Sequence, residues 1–333
     1  MKPGRSPGRL LERRKFIQLS LAAAALPALA GKGWAQAYPS RPISLVVFLP
    51  AGAIPDLIGR LIGDALSQRL GQPVIIENRP GAGGNIAMQA VARAPADGHT
   101  LLLLASPHAI NVTLYPNNPV SLGKDITPVA SLNRDTFALL VNPSLPVNSV
   151  AEFIAYAKAN PGKINLSSNG TGNLTHLAGE LFKSATGIDT LHVPYRGSPA
   201  ALAALTAGDV QALFDTVGTA FPLIQAGKIR ALGVSSTQRV RMLPNVPTIA
   251  ETVPGYTVTG WLGIGAPKDT PAEIVQRLNR EIGVVLNEPA IKSKMLELNS
   301  EPFVSTPAEF AKFTAEDTEK WGKVVKAAGV KVE

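Results

Sequence analysis

Residues 43–78 read ISLVVFLPAGAIPDLIGRLIGDALSQRLGQPVIIEN, and this stretch decides the fold class. Residues 43–48 form a run that is apolar except for Ser44, which marks a strand buried on both faces of a parallel sheet; a half-solvated strand would alternate. A loop follows, and Asp56 is placed to cap a helix that sets Leu57, Ile58, Leu61, Ile62, Ala65, Leu66 and Leu70 on one face. Gly71 supplies the usual stop, because the residue after a last helical turn often turns left-handed. Residues 73–77 read as a second strand. Strand, crossover helix and strand imply a parallel pair with a right-handed connection.

Working outward, the pattern repeats. A glycine loop at 81–84, a helix at 85–93 and a strand at 100–104 extend the first unit. A second α/β series begins near residue 139. Ser149 and Glu152 form a capping box that opens a helix at 150–160. Strands are expected at 164–167, 190–193, 210–214 and 229–234, with helices near 174–185, 199–207 and 217–226. Thr270-Pro271-Ala272-Glu273 and Thr306-Pro307-Ala308-Glu309 repeat one capping device, with Pro where a missing N–H costs nothing.

The chain has 333 residues, 45% of them hydrophobic and 17% charged, so it can bury a core and is not disordered. It has no Cys, which excludes disulfides, thiolate metal sites and a Cys nucleophile. The net charge of +8 suggests nucleic acid until its placement is seen. Lys2, Arg5, Arg9, Arg13, Arg14, Lys15 and Lys32 stand against Glu12 alone in residues 1–37, leaving about +2 for the rest. Those 37 residues have the order of a secretory signal: a basic stretch, an apolar run at 16–30, then small residues. Arg13-Arg14-Lys15-Phe16-Ile17 resembles a twin-arginine export signal. Ala35-Gln36-Ala37 offers a cleavage site, so cleavage is expected after Ala37 with a periplasmic mature chain from Tyr38. No later segment is apolar enough to span a bilayer, so the mature protein is not expected to be membrane-inserted.

Enzyme signatures are poor. The four histidines (His99, His108, His176, His192) include no HExxH pair; His176 and Glu180, four apart, read as a plain helix pair before they read as metal ligands. There is no GxSxG elbow, so Ser198 reads as a helix cap, not a nucleophile. Gly81-Ala82-Gly83-Gly84 starts like a dinucleotide fingerprint, but Ile86 stands where the third glycine belongs. No catalytic residue, metal or cofactor is expected. What coincides instead is a set of glycine-containing loops where strands end and helices begin: Gly52-Ala53, Gly81 to Asn85, Ser106-Pro107-His108 and Ser167 to Asn173. Helix N-termini there present unpaired amides and a positive dipole end, which favours an anion without Lys or Arg in the pocket.

The segments YPSRPISLVVFLPAG (38–52), GQPVIIENRPGAGGNIA (71–87), ADGHTLLL (96–103), HLAGELFKSATG (176–187) and HVPYRGSPAAL (192–202) resemble the tripartite tricarboxylate transporter receptor family, the Bug-type periplasmic solute-binding proteins. The likeness runs in order over nearly all of 38–333.

That resemblance implies an α/β, two-domain Venus-flytrap architecture. Residues 38–138 with 259–333 would form the first domain and 139–258 the second, each a mainly parallel sheet flanked by helices. It implies a receptor, a monomer and not an enzyme, that closes on a small organic carboxylate and delivers it to the membrane permease of a tripartite transporter, with no nucleic-acid partner. The alternatives are a periplasmic ligand-sensing subunit for a membrane sensor, or an exported hydrolase. The family's first-domain loop carries over as Pro50, Ala51, Gly52 and Asp56, with Ala53 and Pro55 as departures. Ala53 replaces a glycine, Pro55 removes a donor and Ile54 adds apolar surface, which suggests a larger or less polar acid. The expected ligand-binding set is Ala51, Gly52, Ala53, Ile54, Asp56, Ser106, His108, Ser168, Asn169, Thr171, Tyr195, Arg196 and Asp215.

Overall fold

The computed structural model describes Met1 and residues 38–331; the expected export signal and the expected cleavage site after Ala37 lie outside the described residues. Tyr38 to Ser40 belong to a unit separate from the one formed by Arg41 onward.

Two mixed sheets share one long strand. In the first, β2 (Val74–Asn78), β1 (Ile43–Val47) and β3 (Thr100–Ala105) run parallel. Then come β9 (Thr259–Pro267), antiparallel to both neighbours, β4 (Ile126–Val141) and the short β10 (Glu301–Pro302). In the second, β5 (Asn165–Ser168), β6 (Leu191–Pro194) and β7 (Ala212–Thr216) are parallel, and β4 returns as the antiparallel partner of β7 and of β8 (Arg230–Val234). β4 changes sheet within two residues: Thr136 pairs with Thr259 in the first, Phe137 with Thr216 in the second. Each sheet and its helices make one lobe.

The helices of the first lobe are α1 (Ile54–Leu70), α2 (Asn85–Ala92) and α3 (Ser106–Leu114). The second lobe holds α4 (Val150–Ala159), α5 (Leu174–Thr186), α6 (Ser198–Ala207) and α7 (Val217–Gln225). The chain ends with α8 (Ala272–Asn287), α9 (Pro289–Glu297) and α10 (Pro307–Ala328). The expected apolar face of α1 is rotated. Ile58, Ile62, Leu66 and Leu70 are buried with Gly59 and Gly63, while Leu57 is exposed. Gly63 explains the rotation: a Cβ there would lie 3.3 Å from Val74 Cγ1 and from Ile76 Cδ1, so the helix lies against the sheet through its bare backbone.

The second lobe's core shows why β4 holds its register. Phe137, Leu139 and Val141 enter one cluster, with Phe153, Phe182 and Phe214, while Ala138 and Leu140 enter the cluster on the opposite face. Each fully buried Phe contributes about 1.5–3 kcal/mol of hydrophobic stabilisation, so a one-residue slip of β4 is costly.

Two strand segments cross between the lobes, and Ser235 joins them. Its buried hydroxyl accepts the Phe137 amide at 3.0 Å and donates to the Val258 carbonyl at 2.5 Å. Helix α10 spans both lobes. Phe310 packs under β9, where a Cβ on Gly263 would meet its ring at 2.2 Å, and Trp321, Val324 and Val325 join the second lobe's core. Between these ends, Asp317 accepts the Trp261 indole N–H at 2.8 Å, and Lys320 donates to the Thr257 carbonyl in the crossover.

One capping expectation and one loop expectation fail in this part of the chain. Thr270 does not cap α8; its hydroxyl turns back to the Pro267 carbonyl at 2.7 Å, and the helix starts at Ala272 without a side-chain cap. Ser106-Pro107-His108 is not a loop but the first turn of α3, where Pro is tolerated.

Candidate functional site

The three parallel strands of each lobe lead into helices, β1, β2 and β3 into α1, α2 and α3, and β5, β6 and β7 into α5, α6 and α7; the starts of α2, α3 and α5 line one gap. A helix N-terminus carries amides without intrahelical partners and the positive end of the helix dipole.

In the first lobe the loop before α1 is shaped by Asp56. Gly52 takes the left-handed region (φ +86°), and its amide donates to Asp56 Oδ2 at 2.8 Å. Asp56 also receives both arms of Arg60, each at 3.0 Å, and the Asn78 amide at 2.8 Å. It is therefore not the helix cap expected of it. Ala53 is the N-cap residue and offers no side-chain bond, while Asp56 sits in the first turn, 1% exposed, and reaches back. Burial opposes its charge, but the Arg60 guanidinium, the Gly52 amide and Asn78 outweigh burial and hold its carboxyl below the usual range. Ala51, Gly52 and Ile54 are exposed at the loop tip, with Ala53 half-buried.

Ser106 and His108 are buried behind the gap. The Ser106 hydroxyl accepts the Trp261 amide at 3.2 Å. His108 packs edge-on against Phe48, with ring centroids 4.9 Å apart, and its Nδ1 accepts the Ala105 amide at 3.0 Å. Burial pushes His108 down to about 4, so it is neutral with its proton on Nε2, which faces Gly84 without a well-formed hydrogen bond. Gly84 is required twice: its φ is +99°, and a Cβ would lie 3.0 Å from that nitrogen.

The second lobe's loops are tied by Asp215, which is 1% exposed. Its carboxylate accepts the Thr216 amide at 2.7 Å, the Asn169 side-chain amide at 3.3 Å and the Ser198 hydroxyl. One group thus joins the ends of β5, β6 and β7. Burial pushes its pKa up, and the three donors only partly offset this. Ser198 is not a helix cap, contrary to expectation: Gly197 occupies that position and the hydroxyl is spent on Asp215. Ser168 contacts His192 Nε2 at 2.6 Å; that ring stacks on His176 at 3.7 Å, and His176 Nδ1 accepts the Gly172 amide at 3.1 Å. Tyr195 is half-buried against the lobe's core, Arg196 is exposed, and Thr171 stands exposed at the tip of the β5–α5 loop. His176 and Glu180 approach to 3.7 Å, and among the described residues no group of three or more His, Asp and Glu side chains is placed to hold a metal ion.

Between the lobes lies a cavity of about 260 Å³. Phe48, Leu49, Pro80, Gly81, Gly83, Gly84, Pro107, Asn111, Leu114 and Tyr115 line it from the first lobe and Thr171, Gly172 and Asn173 from the second; none is charged. Of the residues expected to bind ligand, Thr171 lines this cavity. Asp56, Ser106, His108, Ser168, Asn169 and Asp215 stand behind the mouths as supports, and Ala51 to Ile54, Tyr195 and Arg196 lie outside its walls. Asn111 and Tyr115 were missed by sequence reasoning. Their signal is the spacing of Pro107, Asn111, Leu114 and Tyr115 along one face of α3, which becomes visible once the segment is known to be helical. Asn111 donates to the Gly83 carbonyl at 2.9 Å and fixes the glycine loop over the cavity.

A family model described as "Tripartite tricarboxylate transporter family receptor" matches residues 58–330. Protein BugT of Bordetella pertussis is 35% identical over 90% of this chain and 93% of its own. Among solved structures, R. palustris Rpa4515 with adipate is 37% identical, covers 88% of this chain and 99% of its own, and has a TM-score of 0.75. MatC from Rhodopseudomonas palustris with bound malate is 32% identical over 86% and 100%, with a TM-score of 0.72.

Proposed function

The chain belongs to the tripartite tricarboxylate transporter receptor family, and from that premise we propose that it is a periplasmic receptor that closes on a small organic carboxylate between its lobes and hands it to a tripartite membrane permease. The observation that carries this reading is the interlobe cavity itself: helix N-termini from both lobes converge on it, and no charged side chain lines it. A carboxylate held there would receive amide hydrogen bonds, each worth roughly 1.5–3 kcal/mol to a charged acceptor. Four such bonds offset the cost of closure and leave micromolar affinity, about −8 kcal/mol. The apolar wall of Phe48, Leu49, Leu114 and Tyr115 suits a carboxylate with a hydrocarbon or aromatic body. The adipate and malate of the two relatives are acids of this size class.

In this reading the protein turns nothing over and uses no cofactor. The described residues contain no helix long and apolar enough to cross a membrane. Closure requires the guest to favour the shut form over the open one.

A thermal-shift screen of organic acids on residues 38–333 tests the reading. An acid at 100 times its dissociation constant adds about 2.7 kcal/mol of stability. A hit whose crystal complex shows it between the lobes on main-chain amides supports the assignment. Failure of every dicarboxylate and aromatic acid, or a guest gripped by Lys or Arg outside the gap, overturns it.

A further inference from the structure

A second cavity, of about 250 Å³, lies in the first lobe between β4, β9, the β10 strand and α10, away from the interlobe gap. Trp261, Phe303, Phe310 and Phe313 line it, one of the three Trp and three of the ten Phe in the chain. Arg134 stands over them. Its guanidinium carbon is 3.5 Å from the Phe303 ring centroid and 5.0 Å from that of Phe313.

The cation has no carboxylate partner among the described residues and is open to solvent. Glu301 faces it across the β4–β10 pair without bonding it, and the Glu309 carboxylate at the rim is engaged by the Thr306 amide and hydroxyl at 2.8 and 2.9 Å. Arg134 is exposed, and the rings beside it withhold only part of its hydration, which lowers the guanidinium below its ordinary value. The other polar groups are satisfied internally. Ser131 bonds the Phe303 carbonyl and Ser305, Asn133 bonds Asp135 and Ser300, and the Trp261 indole bonds Asp317. The cavity therefore presents one open planar fork of donors above an aromatic floor.

We infer that this cavity is a second ligand site, in which Arg134 pairs with the carboxylate of a compact aromatic monoacid whose ring rests among Trp261, Phe303, Phe310 and Phe313. The chemistry is specific. A guanidinium fork matches a carboxylate in two parallel hydrogen bonds. The rings prefer offset or edge contacts with another ring, and an apolar cavity of about 150 Å³ already holds benzene. The site differs from the interlobe one in principle, with one cationic side chain here and main-chain amides there. Its back wall is Trp261, bonded to the lobe-spanning helix α10, so a guest there touches the element that joins the lobes.

The test uses 4-fluorobenzoate with the mature chain, residues 38–333, observed by fluorine NMR and by a crystal soak with 4-bromobenzoate. Bromine density inside this cavity, at the end of the ring remote from Arg134, with a saturable bound resonance, is the expected result. Arg134→Gln should weaken that resonance at least tenfold, and Arg134→Lys should weaken it less, keeping charge but losing the fork. Phe313→Ala, which leaves the charge in place, should also weaken it, so that a folding defect in one variant does not decide the matter. Bromine only between the lobes, no bound resonance, or equal binding by folded Arg134→Gln would overturn the proposal.

Discussion

Gly218, in the first turn of α7 in the second lobe, lies so close to Asn299 of the first lobe that a Cβ built on it would fall 1.9 Å from the Asn299 Cβ. Asn299 is itself in the left-handed region (φ +56°), on the turn between α9 and β10. The contact therefore bridges the lobes at a point where neither backbone can easily yield. Gly218→Ala should act as a wedge, with overpacking that costs about 1–3 kcal/mol in this arrangement and little in an opened one. Ligand affinity should fall tenfold or more, and small-angle scattering of the ligand-free variant should show a larger radius. Unchanged affinity and radius would mean that the contact does not limit closure.

Thr171 separates amide from side chain. It stands exposed at the tip of the β5–α5 loop and lines the interlobe cavity. The amides beside it are occupied: Gly170 donates to Ser168 Oγ, Gly172 to His176, and Asn173 to the Gly170 carbonyl. Thr171→Pro removes its N–H and should cost about tenfold in affinity by calorimetry. Thr171→Ala keeps the N–H and should bind within about twofold of the parent. Equal binding by both variants removes this loop from the site.

How much was legible in the sequence follows from what each signal measures. β1 was readable because both its faces are buried, so its apolar run has no competing interpretation. β4 was not, because Asn133-Arg134-Asp135-Thr136 breaks the pattern where the strand leaves one sheet for the other. The two Thr-Pro-Ala-Glu motifs are identical, yet only Thr306 caps its helix, accepting the Glu309 amide at 3.2 Å while Glu309 returns the bond; Thr270 is drawn to the Pro267 turn instead. The glycine loops announced where amides gather. The cavity's apolar wall stayed hidden, since Phe48, Leu114 and Tyr115 look like core until the fold leaves space beside them. Asp56 and Asp215 entered the expected ligand-binding set through their loops, and both are buried fasteners of those loops.

Stability should fall as the pH drops from about 6.5 towards 4. Burial pushes His108, His176 and His192 each down to about 4, so the folded protein keeps them neutral while the unfolded chain, at its ordinary value near 6.5, takes up protons. The stability they contribute is complete above 6.5 and declines below it, by on the order of 1–3 kcal/mol per residue at pH 4. His192→Gln should flatten the slope of melting temperature against pH over 6.5–4.5. A slope equal to the parent's would show that the stacked pair titrates normally in the folded state.

Asp135 has the opposite sign. Burial raises it to about 7, with only the Asn133 amide, at 3.0 Å, in opposition. It sits in β4 opposite Gly260, one residue before the strand changes sheet. The unfolded carboxyl ionises near its ordinary value of about 3.8 and the folded one near 7, so the contribution of Asp135 to stability is greatest below pH 4, declines between 4 and 7, and is level above. Asp135→Asn keeps the shape and removes the charge that must be desolvated. Because the residue retains some solvent contact, the gain at pH 8 should be about 1–2 kcal/mol, well under the full value of the shift. Melting curves should therefore place the variant above the parent at pH 8 and level with it at pH 4. A difference that persists on acidification would trace to packing, and the carboxyl would then not be the strained group at the crossing.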